Sequence, residues 1–426
     1  MTKRFEHTSA HGINYLPNKK LGYYLVDDEI YYNKYHALVE GSKKNKQVRW
    51  FFNEDTFFNY TWHIEPEESL NELYRQRAQQ LRDEYDYIRL ECSGGSDSVN
   101  VAFSFLLNNI HLDEIVFRYP KQGEKDMSGN PFDTSAGNTL SEWDFAAKPF
   151  LDWVATNYPH VKITVHDYLN NMMENAESKD ESWVYRSSHY LQPGHTEKHT
   201  GFAGHTLLAD TGKKICVLYG VDKPRACIKD GMFFIYFGDT QTSCPGVVTD
   251  GHDNITNELF YWSPDCLAML AKQGHLMMNM FNLPEYQKYQ SAISWPDSYT
   301  SRTFYENLVK PILYDRYDPS TFQTIKPIKN IYNEMDDWFW LNFSDTKMHQ
   351  TWRAGIDYLL DNLAPDYVIK LQGRAQNIMP FYSPFYYIGD IIASKITMPL
   401  PNSAKTHRVT QDEYRPHLIR GKLVVY

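Results

Sequence analysis

The sequence predicts an α/β protein built on a parallel sheet, and three observations carry the prediction. Apolar runs recur at 87–92, 114–119, 161–168 and 214–219. A segment of helical spacing precedes the first near 66–85, and others separate them near 99–107, 140–157 and 196–210. The turn Ser93-Gly94-Gly95-Ser96-Asp97-Ser98 closes the first run and opens a helix. Strands separated by helices of this length need crossovers, so they lie parallel with both faces covered, as an α/β/α sandwich. Ligands on such sheets bind beyond the carboxyl ends of the strands, where this turn sits.

The elements follow in order. Residues 1–65 hold Gly22-Tyr23-Tyr24-Leu25-Val26 and Val48-Arg49-Trp50-Phe51-Phe52, separated by Lys43, Lys44 and Lys46 among Gly41, Ser42 and Asn45. This composition predicts short strands and turns, a β-rich lead. The basic run reads as a solvated loop, with a phosphate-contacting arm as the alternative. From Pro66 to Tyr85, Leu70, Leu73, Tyr74, Ala78 and Leu81 recur at helical spacing, with Glu67 and Glu68 near the positive end. The motif strand (Tyr87, Ile88, Leu90, Cys92) comes next, then the turn and a helix through Val99, Val101, Ala102, Phe103, Phe105 and Leu106.

Beyond the alternating strands, Met232 to Phe237 reads as an antiparallel, hairpin-like run and Ser263 to Phe281 as a helix starting at Ser263-Pro264. Pro284, Pro296 and Pro311 mark a change of texture. The expected organisation is 1–65, 66–285 and 286–426. The last part reads as mostly helical, with helices near 328–342 and 347–362 and a Pro/Tyr/Phe-rich segment from Met379 to Tyr387.

Composition narrows the function. A chain of 426 residues buries a large core. Its net charge of −10 argues against general affinity for polynucleotide backbones, which needs a positive field. The 32 tyrosines read as core and groove lining rather than as a base-stacking platform. Five cysteines at 92, 216, 227, 244 and 266 form no CxxC pair, which disfavours a disulfide framework or a zinc knuckle and suits a reduced cytoplasm. Met1-Thr2-Lys3-Arg4-Phe5 does not open an apolar leader, and no run of ~18 apolar residues occurs, so a cytoplasmic protein without membrane spans is expected.

Chemistry concentrates in the turn. Glycine at 94 and 95 permits a sharp bend and close approach to a ligand. The first amides of the following helix lack carbonyl partners and carry the positive end of its dipole. Ser93, Ser96 and Ser98 add hydroxyls. Asp97 would repel a phosphate unless a cation lay between them, which points to Mg2+. No GxxxxGK[ST] loop, helix-opening GxGxxG or GxSxG elbow competes with this turn.

This hexapeptide resembles the SGGxDS loop of the PP-loop ATP pyrophosphatases, which include asparagine synthetase, argininosuccinate synthetase, GMP synthetase and the tRNA-thiolating and lysidine-forming enzymes. The chain looks most like the asparagine-synthetase-like branch, as found in uncharacterised phage-type proteins, over roughly residues 66–285. The resemblance implies a HUP-like PP-loop domain that binds ATP and Mg2+ and adenylylates a substrate oxygen with release of pyrophosphate. A nitrogen or sulfur nucleophile then displaces AMP. In that scheme Ser93, Gly94, Gly95, Ser96 and Ser98 hold the pyrophosphate, and Asp97 and Asp222 hold the metal. Gly220 and Asp222, in Tyr219-Gly220-Val221-Asp222-Lys223-Pro224-Arg225, match the family's metal-binding turn, but Lys223 replaces its expected acidic neighbour. Lys223 and Arg225 could then neutralise phosphate charge during attack; otherwise the turn is a solvated cap. The end of the second strand, Phe117, Arg118 and Tyr119, corresponds to the family's adenine-binding walls, with Arg118 equally readable as an ion-pair partner.

Two further features stay open. His189, His195, His199 and His205 cluster, and His195 and His199 would share a helix face, but without HExxH order a phosphate or substrate contact by a histidine or by Lys198 is preferred to zinc. Position 2 is not the cysteine of the family's glutaminase half, so a nitrogen donor would be free ammonia, another amine or a separate donor protein. The alternatives to a ligase are a base-modifying enzyme of the thiolating or deazaguanine kind, a sulfonucleotide binder and a non-catalytic nucleotide-binding subunit. The acceptor substrate is not legible.

Overall fold

Aromatic and β-branched runs at the start of the chain pair into a small sheet that hydrogen bonding completes across short turns. In this computed structural model residues 5–7, 9–10, 13–14, 18–119, 143–167, 181–185, 208–221, 223–239, 252–293, 308–317, 347–370, 377–378, 381–394, 416–419 and 422–425 are described. Strands β1 (Phe5–His7), β4 (Tyr23–Val26), β5 (Glu29–Tyr31) and β6 (Val48–Phe51) form a sheet in the order β1-β5-β4-β6. The two-residue strands β2 (Ser9–Ala10) and β3 (Ile13–Asn14) pair separately.

Two helices interrupt this lead, where only strands and turns were expected. Helix α1 (Lys34–Lys44) starts because Asn33 accepts the His36 amide, and it buries Tyr35, Leu38 and Val39. Lys43 and Lys44 are therefore its last turn rather than a loop, placed where a cation favours the dipole, and Asn45 ends it in the left-handed conformation. Helix α2 (Glu54–Asn59) buries Phe57.

The central sheet is parallel throughout. It contains β7 (Tyr87–Glu91), β8 (Glu114–Tyr119), β9 (Lys162–Asp167) and β10 (Ile215–Tyr219), as the spacing predicts. After the hairpin of β11 (Arg225–Lys229) and β12 (Met232–Tyr236), a fifth strand, β13 (Ile255–Leu259), joins it. The order is β13-β10-β7-β8-β9. The chain winds outward from β7 through β8 and β9, then returns to β7's other side with β10. The direction of winding reverses at the carboxyl end of β7, a topological switch point.

One face of the sheet is apolar: Ile88, Leu90, Ile115, Cys216 and Leu218 are buried in a core shared with α3 (Leu70–Glu84) and α4 (Ser96–Leu106). α5 (Lys148–Asn157) follows a wider helical turn at Trp143–Ala147. The helix expected over 196–210 lies mostly outside the described residues.

The 232–237 run is antiparallel, as expected, and β11 and β12 turn at Asp230 and Gly231, both at positive φ (50° and 77°). Such a two-residue turn matches the twist of its strands. The hairpin belongs to a second sheet, β11-β12-β16-β18-β17, with β16 (Phe385–Asp390), β17 (Pro416–Ile419) and β18 (Lys422–Val425). Strands β14 (Val368–Lys370) and β15 (Asn377–Ile378) pair separately. The region beyond 285 thus holds strands as well as the expected helix at 347–362, and β12 pairs with β16 across that position. The stretch near 328–342 lies outside the described residues. Helix α6 (Leu267–Asn282) packs on both α3 and β16, and α7 is Lys347–Asn362.

Candidate functional site

The turn after β7 folds on its own polar groups. The Gly94 amide donates to Cys92 Sγ (3.4 Å), the Gly95 amide to Ser93 Oγ (3.4 Å), and Ser98 Oγ to the Gly95 carbonyl (3.1 Å). Gly94 has φ +71°, and a Cβ there would lie 2.6 Å from the Cα and N of Ala147. This glycine is needed for the backbone leading into α5, in addition to any ligand. Helix α4 begins at Ser96 with Gly95 as its cap residue, which has no side chain to satisfy the first amides. Ser96 Oγ is buried without a hydrogen-bond partner among the described residues. Ser93 is exposed at the rim.

Gly220, just past β10, rests on the same helix start: a Cβ would lie 3.0 Å from Ser98 Cα. The strand end can therefore approach α4 closely, and it delivers Lys223 to the turn. Lys223 Nζ is 2.6 Å from Asp97 Oδ1. Tyr314 donates its hydroxyl to the same oxygen at 2.5 Å, and the Lys223 ammonium lies 5.3 Å from the centre of its ring. Tyr261, two residues beyond β13, donates to the Asp97 carbonyl (2.9 Å) and accepts from Asn100 Nδ2 (2.9 Å).

Burial works against ionisation of Asp97, but the charges of Lys223 and Lys310 and the hydrogen bonds from Lys223 and Tyr314 outweigh it and hold the carboxyl below the usual carboxylate range. Burial first, and then the Asp97 charge, push the Tyr314 hydroxyl well up, so it remains a donor. The Asp97 side chain keeps 37% of its surface exposed, against 11% for Lys223. Lys223 and Tyr314 both address Oδ1, which leaves Oδ2 for another partner.

Of the residues singled out from sequence, Ser93, Gly94, Gly95, Ser96, Asp97, Ser98, Gly220 and Lys223 come together here. Phe117 is buried at the end of β8, its ring 5.2 Å from that of Trp143. Arg118 and Tyr119 continue β8 opposite His166 and Asp167, and their side chains lie outside the described residues. Arg225 sits in β11 with its guanidinium beside Gly238 and 5.6 Å from the centre of the Tyr382 ring, in the second sheet. Asp222, Lys198 and the histidines at 189, 195, 199 and 205 lie outside the described residues.

Among the described residues no group of three or more His, Cys, Asp or Glu side chains could cage a metal. Asp97 does fit Mg2+ of the kind that enters on a triphosphate, since that ion takes one or two carboxylates and keeps phosphate and water oxygens as its other ligands. Tyr261, Tyr314 and Lys310 were not foreseen. Tyr261 had no usable signal, because the strand just before it, β13, carries Asn257 and Glu258 and does not read as a buried strand. Tyr314 and Lys310 had none, because the segment that carries them is brought to the turn only by packing.

Comparison with protein-family models gives no match for this chain. Comparison with curated proteins gives none either. Among the described residues no helix is long and apolar enough to cross a membrane.

Proposed function

We propose that this chain is an ATP pyrophosphatase-type ligase, AMP-forming, with the HUP-like α/β/α sandwich of the PP-loop domain, working in the cytoplasm. The observation that carries the reading is the uncapped start of α4 at the switch point of a parallel sheet, with a carboxylate and an ammonium at its rim. Backbone amides there suit phosphate oxygens, which arrive with charge that the dipole favours. Ser93 and Ser96 would donate hydroxyls, Ser98 braces the turn through the Gly95 carbonyl, and Gly95 keeps a side chain out of the cradle. Asp97 would hold Mg2+, with Asp222 as its second candidate ligand; when bound, the ion neutralises charge on the phosphates. Lys223, beside Asp97, would meet negative charge as pyrophosphate departs. By the family resemblance, adenine would lie at the end of β8, beside Phe117 and near Arg118 and Tyr119.

The substrates are ATP and an acceptor whose oxygen attacks the α-phosphorus, with a separate amine- or sulfur-donor protein as partner. Titration calorimetry with ATP and MgCl2 tests the reading. The parent should bind, and Gly95→Val should lose binding while circular dichroism stays native, because a branched side chain occupies the phosphate's place. A folded Gly95→Val protein with parental affinity would reject the assignment of the turn.

A further inference from the structure

We infer that Tyr314 is a positioning residue of this site: its hydroxyl and Lys223 together anchor Oδ1 of Asp97 so that Oδ2 is presented to a divalent cation arriving on a triphosphate. The inference rests on the nucleotide reading above and adds to it a residue from a segment remote in sequence. The segment is built in rather than draped over the site, because Val309, Leu313 and Tyr314 are buried in the common core. From that anchorage the Tyr314 hydroxyl reaches Asp97 at 2.5 Å, and its ring lies alongside that of Tyr261, centroids 6.1 Å apart. Tyr261 in turn holds the Asp97 main chain. Two tyrosines thus restrain one aspartate, one at its backbone and one at its carboxylate.

A tyrosine that only filled the core would need its ring and not its hydroxyl. Here the hydroxyl is spent on a single oxygen of a carboxylate that keeps an exposed edge. Losing that hydrogen bond frees the carboxylate to rotate about its terminal bond, whose torsional preference is broad. Lys223 alone can then bridge both oxygens and compete with the cation. Metal-dependent affinity should fall, while contacts made by the amides and hydroxyls of the turn persist.

Tyr314→Phe separates the roles, since it keeps the ring. Calorimetry with ATP in MgCl2 and with ATP in EDTA should show about a tenfold loss in the first and less than about twofold change in the second, the scale of one hydrogen bond to a charged group. In an Asp97→Asn background the same substitution should have no further effect. Parental affinity of folded Tyr314→Phe in MgCl2, an equal loss in EDTA, or an undiminished loss on top of Asp97→Asn would each overturn the inference and leave the nucleotide reading standing. A parent that binds ATP under neither condition would overturn both. Tyr314→Ala, which also removes the ring beside Lys223, provides a second variant, and the same comparison of MgCl2 with EDTA applies to it.

Discussion

The molecule uses the same trio, a lysine, an aspartate and a tyrosine hydroxyl, in two places that differ in closure. In one, Lys34 Nζ lies 2.8 Å from Asp239 Oδ2, Tyr24 donates to the same oxygen at 2.9 Å, and the lysine stands 5.2 Å from the centre of the Phe381 ring. In the other, Lys223, Asp97 and Tyr314 repeat the arrangement. At the first, side-chain exposure is 2% and 0%, and the Phe381 amide fills Oδ1 at 2.8 Å. At the second, Asp97 is 37% exposed and Oδ1 takes both partners. A carboxylate whose two oxygens are both taken by protein is a joint, here between the first sheet with α1 and the chain beside the second sheet. A carboxylate held by one oxygen at a helix start is oriented but still open to a ligand.

The largest effect that separates the two is on stability. Asp239→Ala should strand a buried Lys34 ammonium and cost about 3–5 kcal/mol, read from urea unfolding. A loss below about 1 kcal/mol would mean that water reaches the closed trio.

At the open trio the large effect moves to chemistry. Asp97→Asn should lower ATP-dependent pyrophosphate release by ~10²–10³, and at neutral pH it should also lose the modest stability that the ion pair with Lys223 gives the parent. Its stability signature lies in acid: the folded carboxyl is held below its ordinary value. Its contribution is complete above an unfolded value near ~3.9 and is lost as pH falls through the lower folded value. The parent's advantage over Asp97→Asn in thermal unfolding should therefore shrink between pH 5 and pH 2, to be checked by calorimetry at ~1-unit steps. An advantage that stays constant across that range would show that Asp97 is not ionically held.

The smallest difference is between the tyrosines. Tyr24→Phe should cost about 1.5–3 kcal/mol, the range for a hydrogen bond to a charged group. Tyr314→Phe should cost less in stability, because water can replace its hydroxyl at an exposed carboxylate. Equal losses in urea unfolding would erase the distinction between the closed trio and the open one.

The sequence by itself determined the parallel sheet's first four strands and the turn, because both are local matters. Strand and helix periods are written in consecutive side chains, and the bend at Gly94 follows from a missing Cβ. Local signals also misled: Gly41 and Ser42 look like turn residues, yet Ser42 Oγ folds back onto the Leu38 carbonyl inside α1. Strand β13 was illegible because Asn257 and Glu258 look too polar for a buried strand. Glu258 is satisfied by Arg77 and Tyr85, 181 and 173 positions away. Only the tertiary structure decided that Lys223 stands against Asp97 and that Tyr314, 217 positions from it, completes the site. A hydrogen bond between residues so distant leaves no pattern in either neighbourhood; it exists only once the core has paid the entropy of bringing both segments to one place.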